Sequence, residues 1–318
     1  MPFPDLWPDK VASYVSTAVA PVDFDAFWAE TLTATRAHPL DFQMAKTDTG
    51  ITAFDVYDAS FAGFEGQRVK AWVILPKTGA TTCVVKFIGY GGGRSLAQMH
   101  LLWPSAGRAT LVMDTRGQGS SWSAGDTADP VGSDPAHPGF MTRGIASRET
   151  YYYRRVFMDA VRAVEAARSL DGIKHVAVTG GSQGGGIALA VAGLAPDLSA
   201  VMPDVPYLCD FRRSTGVASR DPYLEINRYL SVHRGAEEQT FQTLNYFDGV
   251  HFATRAKAPA LFSVALMDTI CPPSSIYGAF NAYAGKKQIE RYTFNDHEGG
   301  GPVQEARQMA WLSTVLPL

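Results

Sequence analysis

Short apolar runs bounded by turn residues dominate the first part of the chain. Such runs predict buried strands, and the glycine or proline between them predicts the turns that join those strands. They cover residues 54–61, 67–76, 82–90 and 109–114. The next apolar residues recur at helical spacing from Tyr153 to Leu170, so this segment predicts an amphipathic helix.

The rest of the chain alternates between strand-like and helix-like patterns. Further strands are predicted around Val176–Val178 and at 198–203, 259–268 and 288–296. Further helices are predicted at 187–192, 274–285 and 302–316. The polar-rich segment 207–256 is expected to be helical and to form a lid or side wall. This alternation predicts an α/β fold with a mostly parallel central sheet and helices on both of its faces.

Two segments do not follow the alternation. Residues 1–50 are expected to be an N-terminal extension with an irregular, proline-rich start, in which Asp23 or Asp25 caps a helix. Residues 115–150 are rich in glycine, serine, aspartate and proline, which is typical of a functional loop or an interface element. Because no repeat or linker divides the chain, residues 1–318 are expected to form a single domain.

Composition narrows the possible classes of function. Hydrophobic residues make up 46% and charged residues 19% of the chain, which is ordinary for a globular protein with a large core. The net charge of −3 arises without runs of like charge, so binding to nucleic acid or to a membrane surface has no support. No apolar stretch approaches the length of a membrane span.

The cysteine pattern and the first residues bear on location and cofactors. Cys83, Cys209 and Cys271 are scattered, and the first ten residues lack a signal-peptide pattern. These features predict a cytoplasmic protein with reduced thiols. The chain has no C-x-x-C or H-E-x-x-H sequence to suggest a metal, and no cofactor is expected.

The strongest chemical motif lies between a predicted strand and a predicted helix. The sequence Gly180-Gly181-Ser182-Gln183-Gly184 is a G-x-S-x-G, which in this context indicates a nucleophile elbow that presents the serine above the sheet. Glycine is needed on both sides because neighbouring side chains would collide in so tight a turn. A dinucleotide or phosphate loop would need G-x-G-x-x-G or a glycine followed by Lys-Ser or Lys-Thr. Ser182 is therefore predicted to be a catalytic nucleophile.

A serine hydroxyl is a poor nucleophile until a base removes its proton, so a histidine is required. His297 is favoured because it follows a predicted strand, lies in a glycine-rich loop and comes after the serine, as in α/β-hydrolases. The remaining histidines are expected to be surface or packing residues; they are His38, His100, His137, His175, His233 and His251.

The histidine in turn needs a carboxylate to orient it. Asp268 is favoured because it ends a predicted strand at the carboxyl edge of the sheet, where open α/β sheets place their sites. Asp296 is adjacent to the histidine and is expected to rigidify its loop. Asp204 and Asp248 remain more distant alternatives.

Acyl transfer also needs two N–H donors for the oxyanion of the tetrahedral intermediate. One is predicted to be the backbone of Gln183, directly after the nucleophile. The other is predicted to be the backbone of Tyr90, because the glycines that follow it keep the loop accessible.

With these residues in place, the chain resembles carbohydrate esterase family seven, the cephalosporin C deacetylases and acetyl xylan esterases of the α/β-hydrolase superfamily. Three signatures of that family occur in order: Arg116-Gly117-Gln118, Gly180-Gly181-Ser182-Gln183-Gly184 and His297-Glu298. The similarity runs from about Phe54 to the end of the chain. It implies Ser182, Asp268 and His297 as a catalytic triad, with Tyr90 and Gln183 as oxyanion donors.

The resemblance also bears on residues outside the triad. It implies structural support from Arg116, Gln118 and Glu298, although Arg116 could instead bind an anionic substrate. Ile88 stands where the family often has a histidine, which affects loop packing more than activity. Similar members assemble as hexamers with active sites facing an inner cavity, and residues 115–150 would be the natural interface element.

These expectations describe a serine esterase that removes acetyl groups from small O-acetylated substrates through an acetyl-enzyme intermediate. Acetylated xylose, short xylo-oligosaccharides and cephalosporin C are the substrates that the resemblance implies. The alternatives are a broad carboxylesterase or a peptidase of the same fold, and a catalytically silent binding protein. The expected partners are a small acetylated molecule and further copies of the chain.

Overall fold

A nine-stranded sheet forms the centre of the computed structural model, which describes residues 3–132, 134–195 and 197–317. Its strands are β1 (Gln43–Lys46), β2 (Phe54–Ala62), β3 (Arg68–Pro76), β4 (Thr82–Phe87), β5 (Ala109–Met113), β6 (His175–Gly181), β7 (Ala200–Asp204), β8 (Ala260–Ala265) and β9 (Lys287–Tyr292). Across the sheet they follow the order β1-β2-β3-β5-β4-β6-β7-β8-β9.

The sheet is parallel from β5 to β9 and antiparallel at the other end, where β1, β2, β3 and β5 pair in turn. The predicted α/β fold with a mostly parallel sheet is therefore confirmed. The short strand β1 is the one strand that the sequence pattern did not predict. All of its residues are exposed, so it has no buried face to produce an apolar alternation.

Helices cover both faces of this sheet. They are α1 (Pro8–Val11), α2 (Phe24–Arg36), α3 (Leu102–Ser105), α4 (Tyr152–Arg168), α5 (Gln183–Leu194), α6 (Phe211–Val217), α7 (Leu224–Val232), α8 (Glu237–Asn245), α9 (Gly249–Ala253), α10 (Pro273–Ala282) and α11 (Gly301–Val315). Helices α4 and α5 pack on one face. On the other face, Trp103 of α3 and Leu312 of α11 pack against Val84 and Ala177. Among the helices in the described ranges, none combines the length and the apolar character needed to span a bilayer.

The N-terminal extension is fixed to the rest of the molecule by polar and aromatic contacts. Asp5 accepts hydrogen bonds from Arg213 at 2.5 Å and from the backbone of Ser274 at 2.7 Å. Trp28 of α2 is 2% exposed and lies within an aromatic cluster. Met1 and Pro2 lie outside the described residues.

The predicted capping of α2 is wrong. The helix begins directly after Asp23, but the Asp23 carboxylate makes no capping hydrogen bond. It binds Arg148 at 2.6 Å and also Tyr246, while Asp25 accepts a hydrogen bond from Arg255 at 2.9 Å. Both carboxylates therefore connect α2 to other elements rather than close its own backbone.

The two long segments 115–150 and 207–256 differ in secondary structure. Residues 115–150 contain no helix or strand in their described part, which excludes Ser133, and Phe140 is fully buried there. The segment 207–256 is helical as predicted, but it is more than a polar lid. Its Tyr223 and Phe252 are fully buried, and α9 packs directly on α5, so this segment enlarges the core.

Candidate active site

Ser182 occupies a tight turn between β6 and α5. Its φ of 56° and ψ of −120° form a backbone conformation that residues other than glycine rarely adopt. A Cβ atom at Gly180 would lie 2.5 Å from the carbonyl carbon of Gly184, and one at Gly184 would lie 2.3 Å from the carbonyl oxygen of Phe87. Close backbone approach thus requires both glycines of the G-x-S-x-G sequence.

His297 lines the same cavity as Ser182 and contacts Asp268. The Asp268 side chain follows β8 and is fully buried, and its Oδ2 lies 2.8 Å from Nδ1 of His297. Its other oxygen, Oδ1, accepts the backbone N–H groups of Ile270 at 2.8 Å and Cys271 at 2.9 Å. The aspartate is therefore held in one orientation. Because a carboxylate only accepts, Nδ1 carries the proton when the imidazole is neutral, and Nε2 of that tautomer has a free lone pair.

A cysteine lies next to this pair. Ligand atoms of Asp268, Cys271 and His297 lie within 4.8 Å of one another, a spacing that a metal ion could bridge. Burial raises the pKa of the Cys271 thiol well above its ordinary value. A metal ion here would have to displace the thiol proton and compete with the histidine–aspartate bond. The thiol is therefore a neutral neighbour of the pair.

Gln118 connects the two segments that are predicted to donate to an oxyanion. Its Oε1 accepts the backbone N–H of Gly91, directly after Tyr90, at 2.7 Å. Its Nε2 donates to Oε1 of Gln183 at 2.8 Å. The buried Gln183 side chain also donates to the carbonyl oxygen of Ile88 at 3.1 Å. These amides fix the loop after β4 against the start of α5.

The side chain of Tyr90 is anchored by Glu225, a residue that sequence analysis did not find. The Tyr90 hydroxyl donates to Oε1 of Glu225 at 2.7 Å and accepts the backbone N–H of Phe140 at 2.9 Å. Glu225 also accepts the backbone N–H of Met141 at 3.1 Å. Burial and the adjacent carboxylate raise the pKa of the Tyr90 hydroxyl, so it stays protonated as a donor.

Arg116 is fully buried and does not line the cavity at Ser182. Its guanidinium binds both oxygens of Asp159 of α4, at 2.5 and 2.6 Å, and contacts Gln67. This arrangement joins residues 115–150 to α4, which favours the supporting role over binding of an anionic substrate. Glu298 lines the cavity and accepts a hydrogen bond from Asn295 at 2.7 Å.

The other candidate carboxylates are bound elsewhere. Asp296 is paired with Arg220 at 2.5 and 2.6 Å. Asp204 accepts hydrogen bonds from the side chains of Gln304 at 2.9 Å and Gln308 at 2.7 Å. Asp248 accepts backbone N–H groups in the 207–256 segment. None of the three bonds the histidine.

Two histidines that were expected to be surface or packing residues line the cavity. His137 contacts the Tyr90 ring edge-on at a centroid distance of 5.5 Å. His100 is buried, and burial lowers its pKa to about 4. Ile88, at the position where the family often has histidine, is buried and lies close to Gly92.

The cavity has a volume of about 680 Å³, and Ser182 and His297 both line it. We call its mainly aromatic and apolar part the front compartment; it is lined by Tyr90, Trp122, Pro138, Pro222 and Ile270. We call its mainly polar part the back compartment; it is lined by Lys86, Thr179, Asp204, Gln304, Glu305 and Gln308. The back compartment lies on the sheet face that α11 covers, because Lys86 and Thr179 share that face with Val84 and Ala177.

Comparison with known proteins gives consistent matches. The acetyl xylan esterase (AXE1) family model matches residues 1–315. Acetyl esterase Axe7A of Xylanibacter ruminicola is 28% identical over 303 residues, which are 92% of this chain and 66% of Axe7A. The chain thus spans slightly less than two thirds of the length of that curated relative.

Two solved structures are similar over nearly their whole length. The acetyl xylan esterase from Paenibacillus sp. R4 is 34% identical, with a TM-score of 0.91 and coverage of 97% of this chain and 99% of that one. Acetyl xylan esterase 1 from Thermoanaerobacterium sp. JW/SL YS485 is 30% identical, with a TM-score of 0.88 and the same coverage.

Proposed function

The chain belongs to the acetyl xylan esterase family, as its sequence predicted, and from that premise we propose that it hydrolyses acetyl esters with Ser182 as nucleophile. The reaction class, hydrolysis of a carboxylic ester, follows from the family. The observation that carries the assignment of residues is the 2.8 Å contact of Asp268 with His297, which lines one cavity together with Ser182.

The proposed reaction passes through an acetyl-enzyme. His297 Nε2 takes the Ser182 proton while Oγ attacks the acetyl carbonyl carbon, and the carbonyl oxygen becomes an oxyanion. Backbone N–H groups of Tyr90 and Gln183 stabilise that charge, in positions that Gln118 and Glu225 hold fixed. His297 then protonates the departing alcohol. Water, deprotonated by His297, attacks the acetyl group, and acetate leaves as the serine regains its proton.

Replacement of Ser182 tests this proposal. Ser182→Ala should lower kcat for p-nitrophenyl acetate by about 10⁴-fold or more, because the nucleophile is gone. It should also abolish labelling by a fluorophosphonate probe. Ser123→Ala is the matched control, since Ser123 also lines the cavity but its hydroxyl donates to the Gly93 carbonyl. Near-normal hydrolysis by the Ser182 variant, or loss only in the control, would refute the assignment.

We extend this proposal to the substrates, the assembly and the location of the protein. The substrates are small O-acetylated molecules: acetylated xylose, xylo-oligosaccharides and cephalosporin C. The chain acts as a single α/β-hydrolase domain, supported by the continuous sheet, and assembles as a homohexamer whose inner cavity admits small substrates. A cytoplasmic location rests on the cysteine pattern, and the three cysteines are free and buried.

Light scattering and a substrate series test the assembly. A hexamer should hydrolyse acetylated monosaccharide well and acetylated polymeric xylan poorly, because the polymer cannot enter the cavity. A monomer that deacetylates both equally would refute this assembly without affecting the assignment of Ser182.

A further inference from the structure

The back compartment contains polar groups that the proposed reaction does not use. Lys86 is partly buried and lines this compartment, and its ammonium group makes no hydrogen bond or ion pair with any part of the chain that the structure describes. Burial lowers the pKa of Lys86, while the charges of Glu305 and Asp204 act in the opposite direction. An unpaired ammonium that faces a cavity can donate hydrogen bonds to whatever molecule occupies that cavity.

Acceptors face the same space. Gln308 is 2% exposed, and its Nε2 donates to Asp204 at 2.7 Å. Its Oε1 has no hydrogen-bond donor within the described ranges, and neither has the carboxylate of Glu305, which lies at the exposed edge of the cavity. The Thr179 hydroxyl is already used, because it donates to the carbonyl oxygen of Met202 at 3.1 Å. The compartment therefore offers free donors and free acceptors side by side.

The presence of both donors and acceptors in the back compartment restricts the kind of ligand that it can bind. An anion would bind Lys86 but would be repelled by the carboxylate of Glu305. A cation would be attracted by Glu305 but repelled by Lys86. A hydroxyl group satisfies both sides, since it accepts from an ammonium and donates to an amide or carboxylate oxygen. A neutral molecule with several hydroxyl groups fits the compartment best.

We propose that the back compartment binds hydroxyl groups of the alcohol part of the substrate, with Lys86 as the principal donor. Lys86 then discriminates among acetyl esters by the hydroxyl groups of their alcohol part. This inference rests on the proposed esterase function and specifies the half of the substrate that the triad does not recognise.

The test compares two substrates that share the acetyl group. Acetylated xylose carries sugar hydroxyls, and p-nitrophenyl acetate carries none. Lys86→Met keeps the length of the side chain and removes the donor. It should lower kcat/KM for acetylated xylose by about 10- to 100-fold, the usual effect of losing a hydrogen bond from a charged group. Its kcat/KM for p-nitrophenyl acetate should stay within about twofold of the parent value.

Free xylose provides a measurement that is independent of chemistry. Its inhibition constant against p-nitrophenyl acetate hydrolysis should rise by a similar factor in Lys86→Met. Lys77→Met is the control, because Lys77 is an exposed lysine that donates to Thr52, and it should change neither quantity. Thermal unfolding should show that Lys86→Met is about as stable as the parent, since the ammonium group that is removed makes no hydrogen bond or ion pair within the described residues.

Two outcomes would overturn the inference. Equal losses on both substrates would make Lys86 a support for the elbow. Unchanged hydrolysis of acetylated xylose would mean that the compartment holds water only. Failure of the esterase proposal itself would look different, because the parent protein would then hydrolyse neither substrate.

Discussion

Replacement of Asp268 by asparagine should disable the enzyme while leaving the fold intact. The Oδ1 atom of Asp268 accepts two backbone N–H groups, at 2.8 and 2.9 Å. An asparagine must keep its oxygen there, because its NH₂ group would otherwise face those donors. Its NH₂ then points at Nδ1 of His297, which becomes the acceptor, and the ring proton moves to Nε2. A histidine in that tautomer cannot take the Ser182 proton.

The expected loss is about 10⁴-fold in kcat, or roughly 5 kcal/mol of transition-state stabilisation. The control is Asp296→Asn, which removes the ion pair between Asp296 and Arg220, whose side chains are 45% and 48% exposed. Its amide oxygen can still accept the backbone N–H of Thr269, which lies 3.4 Å from Asp296 Oδ1. An exposed pair of this kind contributes at most about 1 kcal/mol to stability, and it does not touch the histidine.

For both variants, the steady-state rate of p-nitrophenyl acetate hydrolysis and the rate of fluorophosphonate labelling are compared with those of the parent protein. Both rates should fall together in Asp268→Asn and remain near the parent values in Asp296→Asn. The reverse ranking would show that the acid has been wrongly identified. A small effect of both variants would show that the tautomer argument does not apply.

Three further outcomes follow from the geometry. Burial raises the pKa of Asp204 and of Asp248 to about 7, above the unfolded value, so the free energy of unfolding should fall as pH rises from about 4 to 7. Asp204→Asn should remove up to about 1.4 kcal/mol per pH unit of that slope in urea titrations, and an unchanged slope would contradict this. Glu225→Gln should lower kcat for p-nitrophenyl acetate about 10-fold with KM little changed, because Tyr90 loses a charged acceptor; a change in KM alone would point to substrate binding instead. Trp28→Ala should cost about 3–5 kcal/mol of stability in denaturant unfolding with activity retained at 25 °C. A loss below about 1 kcal/mol would show that the N-terminal extension does not contribute to the stability of the core.

The sequence predicts well what depends on neighbouring residues. Buried strands such as β4 and β6 are short apolar runs bounded by turns, and the elbow needs glycines at fixed spacing around Ser182. Those constraints are local, so they are visible in a one-dimensional pattern. The strand β1 escapes prediction for the same reason, because an exposed edge strand has no apolar alternation.

Contacts between residues that are distant in the sequence are harder to predict. Glu225 reaches Tyr90 across 135 positions of the chain, from a helix that the pattern describes only as polar. His137 was expected to be a surface or packing residue, yet the irregular segment that carries it brings it to the wall of the cavity. Nothing in the local sequence encodes such proximity, since it depends on how whole elements pack.

The strands that precede Ser182 and His297 differ in burial and therefore in local stability. Ser182 follows β6, an interior strand whose residues from Val176 to Gly180 are buried, whereas His297 follows β9, the outermost strand, which contains no fully buried residue. Edge elements open locally at a lower free energy than the core. The base can therefore leave its position while the nucleophile and most of the sheet remain folded. Activity should therefore be lost at denaturant concentrations at which circular dichroism shows most of the helices and strands still folded. Loss of activity would then report local opening at the edge of the sheet and not unfolding of its centre.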